Sequence, residues 1–249
     1  PNWKKMSDKW TVHRISAKGK WQRYSHGIGY GDVNGDGRKD LLLKEGWWEQ
    51  PVDLKGDPKW KFHPFAFGTG GAHMFAYDVN GDGLNDVITS LAAHGYGLGW
   101  YEQIRKGGNI SFKLHIIINS KPSDSPYGVK FSQLHALDLA DVDGDGLMDI
   151  VTGKRFWAHG PKKDAEPNAP AVVYWFQLTR PAKGKAHYVP HLIDDDSGVG
   201  TQVKAVDVNG DDLLDVVVGN KKGAFVHLHS TKKVSQAEWR KAQPKRLKK

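Results

Sequence analysis

The chain has 249 residues, a formal net charge of +8 and no cysteine, so it can fill one large domain and can form no disulfide. Residues 232–249 hold eight basic residues and one glutamate, a net +7, so the charge lies in a tail and the body is nearly neutral; that placement argues against nucleic acid as a partner. No apolar run approaches the ~18 residues of a membrane helix, so no membrane span is expected; 29 glycines and ten tryptophans fit an all-β chain with frequent turns.

The first strand signal is WTVHRI at Trp10–Ile15, an aromatic-x-x-His-x-apolar pattern. A nine-residue acidic loop follows, DVNGDGRKD at Asp32–Asp40, and runs directly into the apolar Leu41–Leu43. Next come GWWEQ at Gly46–Gln50 and WKFHPF at Trp60–Phe65, which restores the histidine pattern. The same order recurs as DVNGDGLND at Asp78–Asp86, Val87–Thr89, GWYEQ at Gly99–Gln103 and FKLHII at Phe112–Ile117. It recurs again as DVDGDGLMD at Asp141–Asp149, Ile150–Thr152, VYWFQ at Val173–Gln177 and YVPHLI at Tyr188–Ile193. The fourth copy has DVNGDDLLD at Asp207–Asp215, Val216–Val218 and AFVHL at Ala224–Leu228, then runs out before a histidine strand.

Four copies of one supersecondary unit predict a repeat architecture. Because Trp10–Ile15 carries the pattern that the last copy lacks, the N-terminus is predicted to complete the last unit and close a ring without open sheet edges. The expected fold is all-β, a small β-propeller of four blades, with five as the alternative. It forms one domain over residues 1–231, followed by the basic tail 232–249. His13, His63, His115 and His191 recur at one position per unit and read as packed structural residues.

The acidic loops have the donor set of a calcium site. Calcium takes six to eight oxygen ligands. Positions 1, 3, 5 and 9 supply Asp32, Asn34, Asp36, Asp40; Asp78, Asn80, Asp82, Asp86; Asp141, Asp143, Asp145, Asp149; and Asp207, Asn209, Asp211, Asp215. Position 7 supplies a backbone carbonyl, so Arg38, Leu84, Leu147 and Leu213 are free to vary. An EF-hand would need glutamate at position 12; here Leu43, Thr89, Thr152 and Val218 stand there, inside strands. About four structural calcium ions are expected. Asp212 replaces the position-6 glycine of the other copies, so the fourth loop is expected to be distorted.

On these loops the chain resembles the FG-GAP/VCBS repeat family of calcium-binding β-propellers. The resemblance covers nearly the whole chain and implies the propeller fold. It leaves function open, because such propellers serve in adhesion receptors, lectins and enzymes. Weak calcium sites fill only where the ion is near millimolar, so the expected location is secreted, extracellular or periplasmic.

If each unit is an up-and-down meander, the acidic loops lie on one face. The residues that break the repeat then collect on the other. The crossings between units give Tyr24, His26, His73, Lys130, Gln133, His135, Asp194, Asp195, Asp196 and Gln202; the loops between second and third strands give Glu45, His94, Tyr96, Lys154, Arg155, Trp157 and His159. Imidazoles at that density can bind a transition metal such as zinc or move protons near neutral pH. Lysine and arginine can stabilise an enolate or hold a carboxylate. No nucleophile elbow, phosphate loop or zinc-protease motif is present.

This set is similar to the propeller part of the aldos-2-ulose dehydratase family, sugar lyases that act on keto-sugars with bound metal. The resemblance implies metal- or His/Lys-assisted β-elimination on a keto-sugar or glycoside. The candidate catalytic residues are His73, His94, Tyr96, Lys130, His135, Lys154, Arg155 and His159. The candidate substrate contacts are His26, Glu45, Trp100, Gln133, Trp157, Asp195 and Gln202. Two alternatives stand beside it. One is a sugar-binding lectin without catalysis, using Trp47, Trp48, Trp100, Trp157 and Trp175 as stacking platforms. The other is a protein-interaction or adhesion module.

Overall fold

The computed structural model describes residues 3–17, 25–183 and 185–248. Each acidic loop is a hairpin between two strands, and each unit is an antiparallel meander. The first unit comprises β1 (Ile28–Gly31), β2 (Asp40–Leu43), β3 (Gly46–Glu49) and β4 (Lys61–Pro64). The second comprises β5 (His73–Tyr77), β6 (Asp86–Ser90), β7 (Leu98–Lys106) and β8 (Asn109–Ile118). The third comprises β9 (Leu137–Ala140), β10 (Asp149–Gly153), β11 (Val173–Ala182) and β12 (Lys185–Asp194). The fourth has three strands, β13 (Val203–Val206), β14 (Asp215–Asn220) and β15 (Gly223–His227), before the short helix α1 (Gln236–Ala242).

These units do not form the expected ring of four separate blades. The first two share one curled eight-stranded sheet, in the order β4-β3-β2-β1-β5-β6-β7-β8. Parallel pairing of β1 with β5 joins them, with Ile28 opposite His73 and Gly29 opposite Met74. Glycine permits the join: a Cβ on Gly29 would lie 1.9 Å from the Met74 carbonyl oxygen, and one on Gly31 would lie 2.6 Å from Ala76 Cβ. The other two sheets have four and three strands.

Closure by the N-terminal strand also fails. Residues 10–15 form no strand. Trp60 N–H donates to the Ile15 carbonyl at 3.1 Å, and His13 pairs with Asp57, so the segment lies against the first unit rather than the last. Trp10 and Val12 are left exposed on that segment, as are Val226 on β15 and Leu228 just beyond it.

Among the described residues, three apolar cores lie between consecutive units. Val33, Leu42, Trp47 and Phe67 pack on Met74, Val87 and Tyr101. Ile88, Leu98, Trp100 and Ile118 pack on Leu134, Leu137, Ile150 and Phe176. Val151 and Val173 pack on Val203, Val216 and Val218. Polar links reinforce each joint: Arg105 donates to the Asn34 carbonyl, Arg180 to the Val79 carbonyl, and Lys204 to Asp138 at 2.9 Å.

Three of the four recurrent histidines are packed structural residues. Cross-strand pairing sets His63 on Trp47, His115 on Trp100 and His191 on Trp175, with ring centroids 4.0, 4.4 and 4.6 Å apart. Glu49, Glu102 and Gln177 hold the same rings by hydrogen bonds. His13 is exposed, and its ring reaches Asp57.

Candidate functional site

All four acidic loops adopt one geometry. The position-1 carboxylates of Asp32, Asp78, Asp141 and Asp207 accept loop N–H groups. The position-9 residues Asp40, Asp86, Asp149 and Asp215 are fully buried. Each accepts the position-2 N–H (Val33, Val79, Val142 or Val208) and an N–H from beyond the third strand's start (Gln50, Gln103, Leu178 or His229). Burial pushes the Asp86 and Asp149 carboxyls up to about 7.

The fourth loop keeps this geometry despite Asp212. Its φ of +65° matches the left-handed glycines of the other loops, and its N–H donates to Asp207 at 3.0 Å. The expected distortion is thus absorbed as local backbone strain. Asp212→Gly is expected to raise stability by about 0.5–1 kcal/mol in urea unfolding, the strain relieved less the extra chain entropy of glycine.

The loops differ at position 3. Asn34, Asn80 and Asn209 each donate an amide N–H to the position-5 carboxylate. Asp143 has no such hydrogen to give. In the third loop the oxygens of Asp141, Asp143 and Asp149 lie within 4.8 Å of one another, an all-oxygen cluster that suits a hard cation.

A second cluster lies on the loops opposite. His26 precedes β1, His94 follows β6, and His135 precedes β9. His26 Nε2 lies 3.3 Å from both His94 Nε2 and His135 Nε2, and all three nitrogens fall within 4.8 Å. Burial, then the charge of Arg155, pushes His135 down to about 4. Burial also lowers His94. Burial thus favours the neutral form of His135 and His94, the form that ligates a metal.

Asp164 serves this cluster from the side. It accepts from His159 N–H and from His159 Nδ1, both at 3.0 Å, and its Oδ1 lies 3.6 Å from His94 Nδ1. Burial alone would raise Asp164, but the hydrogen bonds from the His159 ring and the His159 N–H hold it low. His94, His159 and Asp164 also form a metal-competent group of their own. Glu166 pairs with Lys130 and bonds the Tyr96 hydroxyl, and Lys130 lies 5.6 Å from the centre of the Tyr96 ring. The hydrogen bond from Lys130 is the largest cause holding Glu166 low, and burial with the Glu166 bond pushes Tyr96 up to about 12.

The supporting backbone is strained. Gln133, Trp157, Asp164 and Glu166 all have φ between +43° and +65°, and none is glycine. Side-chain bonds hold them: Gln133 accepts from Ala158 N–H and donates to the Ala165 carbonyl, Ser132 donates to the same carbonyl, and Trp157 donates to Asn168. Strain of about 1–3 kcal/mol per residue persists where a site over-determines its geometry.

The structure thus brings together His26, His94, Tyr96, Lys130, Gln133, His135, Lys154, Arg155 and His159. Trp157 lies on the same loop as His159. Other candidates lie elsewhere. Trp100 is buried in the core under His115. Glu45 pairs with Lys44 in a separate groove with Thr69. Asp195 is exposed in a turn that Asp194 caps by accepting from Asp196 and Ser197 N–H. His73 accepts from Leu137 N–H at 3.4 Å and, with Gln202, lines a mostly apolar cavity of about 550 Å³ among β1, β5, β9 and β13. Tyr24 lies outside the described residues.

Asp164 and Glu166 were not legible as site residues. They occur in the polar stretch between Arg155 and Val173, which carries no repeat pattern. An acidic pair two residues apart in a long loop beside His159 is the faint signal available. No protein-family model matches the chain, and no curated protein is significantly similar to it.

Proposed function

We propose that the chain is a carbohydrate-active lyase that carries out metal-assisted β-elimination on a keto-sugar or glycoside, with the four acidic loops holding structural calcium. The observation that carries the reading is the convergence of three imidazoles, His26, His94 and His135, beside the Asp164–His159 pair. Three nitrogen donors fit a zinc-like ion with an open position for a substrate oxygen. His94 Nδ1 is a buried polar atom without a hydrogen-bond partner, directed at Asp164, as an outer carboxylate orients a ligating histidine. The bound ion would supply positive charge that polarises the carbonyl oxygen and stabilises an enolate.

The chain's own groups supply the proton chemistry. Asp164 accepts from His159 Nδ1 and so leaves Nε2 free as a base. His159 takes the proton from the carbon beside the carbonyl, and the electron pair moves into the enolate. The enolate then expels the oxygen substituent on the next carbon. The protonated His159 returns its proton to that departing oxygen, so an unsaturated ketone and water or an alcohol leave. Arg155 supports negative charge near His135 and His94.

Proton NMR tests this with calcium-loaded protein, zinc or manganese, and a panel of keto-sugars and keto-glycosides. New vinylic signals that grow with time are expected. Saturation transfer to a sugar without product would instead make the protein a lectin, and silence across the panel would remove the carbohydrate reading.

A further inference from the structure

Among the described residues, Lys154 departs from the pattern of the other buried charges. The buried carboxylates of Asp40, Asp86, Asp138, Asp149 and Asp215 all accept hydrogen bonds. Lys154 is fully buried too, and its Nζ has no hydrogen-bond partner. Burial lowers its pKa to about 8, so the amine still carries a proton at neutral pH most of the time.

The nearest opposite charges are Glu166 and Asp164, and both are committed. Glu166 is bonded to Lys130 and Tyr96, and Asp164 to His159. Arg155, the next residue, adds a second cation at the same wall. An unpaired buried ammonium is costly, and mutation away from it would stabilise the fold. Such a group stands ready for an anion that arrives with the ligand.

We propose that the ligand of this site carries a carboxylate, as a hexuronate does, and that this carboxylate pairs with Lys154. The inference rests on the carbohydrate reading above and narrows its substrate class. The ligand reaches Nζ by displacing Glu166, whose backbone at a φ of +43° is expensive to hold, while the Asp164–His159 pair stays in place. Glu166 is then the intramolecular carboxylate whose place the ligand acid takes beside the lysines.

The test titrates zinc-loaded protein with methyl α-D-galacturonide and methyl α-D-glucuronide, against methyl α-D-galactoside and methyl α-D-glucoside. At least one uronide is expected to bind about tenfold or more tightly than its neutral partner. Lys154→Met keeps the stem and removes the charge; it is expected to erase that preference while raising Tm by several degrees. Lys154→Arg should retain part of the preference. Equal affinity for uronide and neutral sugar, or a preference that survives in Lys154→Met, overturns the inference. Elimination on neutral keto-sugars without uronide preference would remove this inference and leave the lyase. Uronide preference without elimination of any substrate would keep it and remove the lyase, and failure to bind either sugar would sink both.

Discussion

Wild-type protein dialysed against zinc and then metal-free buffer is expected to retain about one equivalent of zinc, read by atomic emission. His135→Ala should lose it. The imidazole nitrogens of His26, His94 and His135 already lie within 4.8 Å, so binding needs little rearrangement. Burial of His135 and His94 also lessens the proton competition that weakens histidine sites at pH 7. Asp164→Asn is the finer probe. It keeps the size of the side chain and removes the charge facing His94 Nδ1, and loss of such an outer partner costs about 10–100-fold in affinity. Calcium-dependent melting should be unchanged in both variants, because neither residue touches an acidic loop. Retention of a full equivalent in His135→Ala would refute the three-histidine site.

What the sequence made legible follows from what repeats. The acidic loops and the Trp–His stacks recur, so each copy supports the others: Trp47 with His63, Trp100 with His115, Trp175 with His191. The histidines of the site were legible for the opposite reason, because His26, His94, His135 and His159 interrupt the pattern. The arrangement of the units was not legible. It turns on how closely β1 approaches β5, which Gly29 and Gly31 permit through the absence of a side chain. The N-terminal segment misled because its pattern matches a strand, while its partners are Asp57, in a loop without any motif, and Trp60, at the head of the first unit's own histidine pattern. Asp164 and Glu166 escaped for a related reason: the backbone that aims them has positive φ at non-glycine residues, which composition does not announce.

Removing calcium with EGTA is expected to lower Tm by at least about 10 °C relative to protein in 10 mM calcium. A ligand at a hundredfold excess over its Kd stabilises by about 2.7 kcal/mol per site, and each kcal/mol is about 2–4 °C in a chain of this size. One filled site therefore gives roughly 5–10 °C, and four give more. The third loop should dominate. Asn34, Asn80 and Asn209 neutralise their loops by donating to the neighbouring aspartate, whereas Asp143 adds a carboxylate to Asp141 and Asp149. Like charges this close repel without a cation, so this loop gains most from one. Asp143→Asn should weaken the tightest calcium site in isothermal titration and reduce the calcium-dependent rise in Tm. It should also raise Tm in EGTA, since the asparagine can close the loop as it does in the other three. A melt indifferent to calcium would remove the ion from the acidic loops, and they would then stand as turns closed by their own N–H···carboxylate bonds.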